Sequence, residues 1–190
     1  MGNLPNILTL SRIASVPVLV FLVALRNPRA DVAAAILFAM AGFTDWLDGR
    51  IARSRNLHSE IGRMLDPIAD KLLVGATLML LAGSSRLGPW GLLPAIVIMC
   101  REILVSGLRE FLAGIAVRLP VTRLAKWKTG LQMVALGILL AGDSGAAELG
   151  VSWLPLSVIG VVMLWLAAIA TLVSGWDYLR VSLRAVSAEE

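Results

Sequence analysis

This chain is short of cysteine, histidine and charge. Its one cysteine, Cys100, excludes a disulfide framework and a thiolate metal cage. It follows Met99 in an apolar run, where a small buried hydrophobe is the simplest reading. The single histidine, His58, lies in a polar connection and reads as a solvated loop residue. Only 16% of the 190 residues are charged, too few to cover the core of a soluble domain of this length. No low-complexity tract, internal repeat or separate soluble segment interrupts the chain, so residues 1–190 are expected to form one domain.

What the chain has instead is apolar length. Hydrophobic residues make up 58% of it, mean hydropathy is +0.83, and the apolar residues come in long runs. A helix needs about 20 mostly apolar residues to cross the hydrocarbon. Runs near that length predict six spans, at about residues 5–25, 31–52, 63–82, 90–113, 122–141 and 152–179. Turn clusters separate them: Asn27-Pro28-Arg29, Gly83-Ser84-Ser85, Gly88-Pro89 and Gly142-Asp143-Ser144-Gly145. Met1 to Pro5 carries no basic residue ahead of a run long enough to span, so a membrane span is expected there and not a cleaved leader. The expected fold is an all-α integral membrane protein, six transmembrane helices in one bundle.

Charge orients this bundle. With both termini cytoplasmic, the external connections hold Arg26, Arg29 and Arg86, leaving 14 of the 17 Lys and Arg on the inner side. The reverse orientation inverts the positive-inside rule. The net charge of +4 is therefore assigned to cytoplasmic loops and to anionic lipid or phosphate, with no nucleic acid as partner. Trp46, Trp90, Trp127, Trp153 and Trp176 fall near span ends, where interfacial anchoring accounts for them.

Acidic residues inside spans are expensive and usually face a cavity or a partner. Asp45 and Asp48 are three apart, Asp66 and Asp70 four apart, so each pair shares one side of its helix. The second and third spans, joined by a short connection, are expected to pack antiparallel and bring the four carboxylates together. Four acids with no matching buried base would repel. Hard cations with a preference for oxygen, Mg²⁺ or Mn²⁺, two per site, relieve that repulsion and assist displacement at phosphorus. Gly49 lets a substrate approach the backbone, Ala52 continues the small face, and the planar fork of Arg53 suits a pyrophosphate. Blander readings exist for each part. Asp66-Pro67 matches an N-cap followed by Pro at the first helical position, with Asp70 serving the helix dipole. Asp45 and Asp48 could instead pair with Arg50 and Arg53.

At these residues the chain resembles the CDP-alcohol phosphatidyltransferase family. The family signature, D-x2-D-G-x2-A-R-x8-G-x3-D-x3-D, is matched at every fixed position by Asp45, Asp48, Gly49, Ala52, Arg53, Gly62, Asp66 and Asp70. The resemblance implies Asp45, Asp48 and Asp66 as metal ligands, and Asp70 as ligand and general base. It implies Gly49, Ala52 and Arg53 in contact with the cytidine diphosphate, with Gly62 allowing close packing nearby. Asn6 and Thr9, with Arg12, are implied to line the nucleotide site from the first span; an entry cap and a snorkelling arginine are the alternatives.

Members of that family share the donor, CDP-diacylglycerol in a membrane of lipids, and differ in the acceptor alcohol. Here the stretch from Arg101 to Lys128 holds Arg101, Arg109, Arg118, Arg123, Lys126 and Lys128 against only two acids, Glu102 and Glu110. Arg101 and Arg109 are eight apart and nearly share a face. Such a cationic pocket suits an acceptor with its own phosphate, glycerol 3-phosphate. For any single member a topology determinant or lipid contact is the alternative, and Lys128 could snorkel. The segments Asn3–Arg12, Ser106–Phe111 and Arg123–Thr129 also resemble the glycerol-phosphate branch of the family. The expected site is at the cytoplasmic face of a bacterial-type inner (plasma) membrane. Rival readings are an inositol-phosphate acceptor, a divalent-cation transporter and a non-catalytic scaffold. A homodimer through a helix face is compatible with the sequence.

Overall fold

A computed structural model describes residues 4–55, 60–114 and 123–186. Side chains are described there except at 4–8, 46–55, 60–64, 66–67, 113, 123–126, 177 and 183–186. The described residues form six helices and no strand: α1 (Leu4–Ala24), α2 (Pro28–Arg55), α3 (Glu60–Gly83), α4 (Gly88–Gly114), α5 (Arg123–Glu148) and α6 (Leu156–Val186). Three carry segments long and apolar enough to cross a membrane: Gly88–Leu112, Trp127–Glu148 and Leu156–Ser182. A shorter apolar stretch, Thr9–Ala24, lies in α1.

Local chemistry sets the helix ends. Asn27 caps α2, its Oδ1 accepting from the Arg29 amide at 2.9 Å, with Pro28 at the first helical position. Asp143 does the same for α6 from another helix, its Oδ1 accepting from the Ser157 amide at 2.9 Å while Oδ2 accepts from the Ser157 hydroxyl. The Gly142–Gly145 cluster, read above as a turn after the fifth span, instead lies inside α5. There Gly142 alone breaks the helix, at φ 60°. Glycine tolerates that left-handed φ, so the chain bends and resumes its helix to Glu148.

The core is built from Leu19, Phe38, Leu73, Ile98, Leu136 and Leu164, contributed by all six helices and wholly or almost wholly buried. The helix pairing departs from expectation. α2 packs on α1 and α5, α3 chiefly on α1, α4 on α6, and α5 on α6. Direct packing of α2 on α3 is no more than slight among the described residues, so α1 is the element that joins the two acidic helices. Cys100 is also a correction: it is exposed on the outer face of α4, not a buried hydrophobe. Trp90, Trp127, Trp153 and Trp176 are exposed, as interfacial anchors are.

At the end of the bundle away from Asp45 and Asp70, Arg86 joins three elements. Its Nη2 donates to Asp31 Oδ1 at 2.6 Å, its Nη1 to the Leu140 carbonyl at 2.6 Å, and Ser144 donates to the other Asp31 oxygen at 2.9 Å. The Leu140 carbonyl stands beside the Gly142 bend, so the arginine satisfies backbone polarity where the helix breaks.

Candidate active site

Asp45 lies on α2, Asp70 on α3, and α1 contributes the residue that connects them. Arg12 is 2% exposed, and its Nη1 stands 2.7 Å from Asp45 Oδ1. That pair corrects one expectation: the acids do have a buried base among them, Arg12 of the first helix, while the side chains of Arg50 and Arg53 lie outside the described residues. The guanidinium is not snorkelling: the Ser15 hydroxyl donates to the Arg12 carbonyl at 2.6 Å, and Thr9, one turn earlier, is buried beside it. The Asp45 side chain keeps 46% of its surface open to solvent. Asp70 is half-buried and lies within electrostatic reach of Asp45 and Glu102, which repel it, and of Arg12 and Lys128, which attract it. One acid from each helix is thus brought to the same end of the bundle.

Asp48, Gly49, Ala52, Arg53, Gly62 and Asp66 continue the same helices as backbone, with their side chains outside the described residues, and so does Asn6 in α1. Among the described residues no three acidic, histidine or cysteine side chains form a metal-binding group. What is described fits a hard cation in kind: Asp45 and Asp70 offer carboxylate oxygens, and the one cysteine, Cys100, is exposed on α4.

The basic cluster forms around α4. Arg101 is 8% exposed, far from a solvated topology marker. Its Nη2 donates to Ser174 Oγ of α6 at 2.9 Å, and its Nη1 lies 3.4 Å from Glu102 Oε1. Gly175 makes room for it, since a Cβ there would stand 3.2 Å from Arg101 Cγ. Arg109 does share that face. Both guanidinium groups stack on the ring of Tyr178, at 5.7 and 4.8 Å, and Arg109 Nη2 donates to the Tyr178 hydroxyl at 2.6 Å. Lys128 is buried, at 4% exposure, and its ammonium bonds Glu102, so it does not snorkel. Arg118 lies outside the described residues. Arg123 and Lys126 open α5, with their side chains outside the description.

Sequence reasoning missed the part played by Glu102 and underrated Lys128. The available signal was a lone pair of acids, Glu102 and Glu110, in a basic stretch inside an apolar helix. A small cavity of about 60 Å³ joins the two halves of the site, with Asp70 on one wall and Glu102, Thr129 and Gln132 on others.

Among the described residues an all-helical architecture with three membrane-length apolar helices, and carboxylates near buried cations at one end, is that of a helical membrane protein. Residues 2–173 match the profile of the CDP-alcohol phosphatidyltransferase family, and the chain belongs to that family. It is 46% identical over 178 residues to a CDP-diacylglycerol–glycerol-3-phosphate 3-phosphatidyltransferase of Rickettsia bellii (strain RML369-C), covering 94% of each chain. It is 38% identical over 194 residues to the protein of that name from Bacillus subtilis (strain 168), again covering 94% of each. It is also 45% identical over 150 residues to a cardiolipin synthase (CMP-forming) of Oryza sativa subsp. japonica, covering 73% of this chain and 46% of that one.

Proposed function

We propose that this chain transfers the phosphatidyl group of CDP-diacylglycerol to glycerol 3-phosphate, giving phosphatidylglycerol phosphate and CMP. The observation that carries the reading is the Arg101–Lys128–Arg109 cluster, whose two buried cations, Arg101 and Lys128, bond Glu102, a carboxylate that shares a cavity with Asp70. It sets cations for an acceptor phosphate beside a carboxylate able to take a proton. Relatives named for this reaction cover nearly the whole chain.

In this reading the chain is one domain of six spans with both termini cytoplasmic, and the site opens at the cytoplasmic face of the inner membrane. The donor's acyl chains stay among the bilayer lipids. Asp45, Asp48, Asp66 and Asp70 would hold two Mg²⁺ or Mn²⁺ ions. Bound there, the ions would neutralise phosphate charge and polarise the phosphorus–oxygen bond that breaks. Gly49, Ala52, Arg53 and Gly62, with Asn6 and Thr9, receive the cytidine diphosphate. Arg101, Arg109, Arg118, Arg123 and Lys126 form the acceptor side. Lys128 joins them. The acceptor hydroxyl oxygen forms a bond to the phosphorus bearing the diacylglycerol, and the bond from that phosphorus to the pyrophosphate bridge breaks. CMP leaves, and the hydroxyl proton passes to Asp70.

The test is an assay of purified protein with labelled CDP-diacylglycerol and, separately, glycerol 3-phosphate, inositol phosphate, serine and phosphatidylglycerol. Lipid product and CMP release with glycerol 3-phosphate alone are expected. Preferential turnover of any other acceptor overturns the reading.

A further inference from the structure

The two best-buried cations of the basic cluster converge on a single carboxylate oxygen. Glu102 Oε1 accepts from the Lys128 ammonium and lies 3.4 Å from Arg101 Nη1. These cations come from α4 and α5 and are 8% and 4% exposed, so the geometry is that of an anion site whose anion belongs to the protein. Donor and acceptor capacity is left over around it. Arg101 Nε and Gln132 Oε1 are buried without a hydrogen-bond partner among the described residues, and Gln132 lines the same cavity as Glu102 and Asp70.

The cavity lining points the same way. A small cavity of about 60 Å³ lies between Asp70 and Glu102. Glu102 lines this space, whereas Arg101 and Lys128, both bonded to Glu102, do not. The carboxylate therefore screens both cations from the cavity an acceptor must enter. Charge completes the case. Arg109 adds a third positive charge felt by both Arg101 and Lys128, and Glu102 is the acid that attracts those two. Three cations and the one Glu102 carboxylate sum to +2, which complements a phosphate monoester dianion, while buried cations with no anion at all are strongly destabilising.

We propose that Glu102 is an internal counter-ion seated where the acceptor's phosphate binds. It neutralises Lys128 and Arg101 in the resting enzyme and hands them to the phosphate as the acceptor enters. This makes Glu102 a positioning residue that competes with the ligand, and it rests on the reading that the acceptor carries a phosphate.

The experiment uses the full-length protein in detergent with chelator present, so that phosphate reports on the basic cluster and not on bound metal. Thermal unfolding is followed while inorganic phosphate or glycerol 3-phosphate is titrated into wild type, Glu102→Gln and Glu102→Asp. Glu102→Gln is expected to melt earlier without ligand yet bind phosphate about fivefold more tightly, because a like charge has left a partly buried site. Its acceptor KM falls while its CDP-diacylglycerol KM stays within about twofold of wild type. Glu102→Asp, too short to span both cations, shows a smaller tightening, and carries the test alone if Glu102→Gln does not fold. Equal or weaker phosphate binding in the variants overturns the counter-ion role. Failure of wild type to bind glycerol 3-phosphate at all overturns instead the acceptor reading beneath it.

Discussion

Arg12, almost wholly buried in α1, holds Asp45 of α2 with its Nη1 2.7 Å from the carboxylate oxygen. The pair ties α1 to α2, and α1 packs against both α2 and α3, which barely touch each other among the described residues. If Asp45 holds a metal as proposed, the arginine behind it orients that ligand and limits its rotamers, and losses at such supporting positions typically cost 10- to 100-fold in metal affinity or activity. Arg12→Gln is therefore expected to raise the Mg²⁺ concentration for half-maximal activity by about tenfold, with a smaller change in either substrate KM. Activity titrated against Mg²⁺ checks it. An unchanged metal requirement would reduce Arg12 to a packing residue.

Asp70 faces a cavity shared with Glu102 and feels the charge of Asp45. Asp70→Asn keeps the shape and removes both the proton acceptor and the anionic metal ligand proposed above. Turnover should fall by about 10³-fold or more, while helix content by circular dichroism stays that of wild type. Treatment of wild type with EDTA should abolish activity as completely, and Mn²⁺ or Mg²⁺ should restore it, whereas the Asn variant stays inactive in both. Substantial turnover by Asp70→Asn would remove this residue from the chemistry.

The helices were legible in the sequence because long apolar runs favour helices that satisfy their own backbone, and all six appear close to where they were expected, three of them long and apolar enough to cross a membrane. The acidic positions were legible for a related reason: Asp45 and Asp70 inside apolar helices demand a purpose. What stayed hidden was pairing. Helical spacing places Asp45 and Asp48 on one side of α2 but is silent on which helix faces them, so Arg12, 33 positions upstream, could not be matched to Asp45. Lys128 read as a residue that could snorkel because sequence alone shows no acid facing it. Only the third dimension brings it to Glu102, 26 residues away. The Gly142 bend was misplaced as a span end because turn chemistry reads the same whether a helix stops or merely breaks.

Arg101 and Arg109 share the ring of Tyr178, but only Arg109 donates to its hydroxyl. If the cluster binds the acceptor's phosphate, Arg101→Ala and Arg109→Ala should each raise the glycerol 3-phosphate KM by about tenfold or more, the usual loss for a charge-assisted hydrogen bond. The CDP-diacylglycerol KM should change little. Tyr178→Phe, which frees Arg109 without removing it, should give a shift in the same direction but smaller. Initial-rate measurements with each substrate varied separately make the comparison. Equal effects on both KM values would assign these arginines to topology or lipid contact.

At the other end of the bundle, the Arg86–Asp31 pair offers a test of stability apart from chemistry. Asp31 is buried and accepts from Arg86 and Ser144, while Arg86 also holds the Leu140 carbonyl next to the broken helix at Gly142. Removing one partner of such a pair strands the other in a place water reaches poorly, at a cost of about 3–5 kcal/mol. Arg86→Met should thus lower the melting temperature in detergent by roughly 10 °C, the shift expected for a chain of this length. Activity per folded molecule should be retained at lower temperature, since none of the proposed site residues contacts Arg86. The double variant Arg86→Met/Asp31→Asn should recover part of the loss, because the stranded carboxylate is then neutral. If the double variant melts no higher than Arg86→Met alone, the ion pair is not what holds this end together, and the carbonyl bond at the bend carries the stabilisation instead.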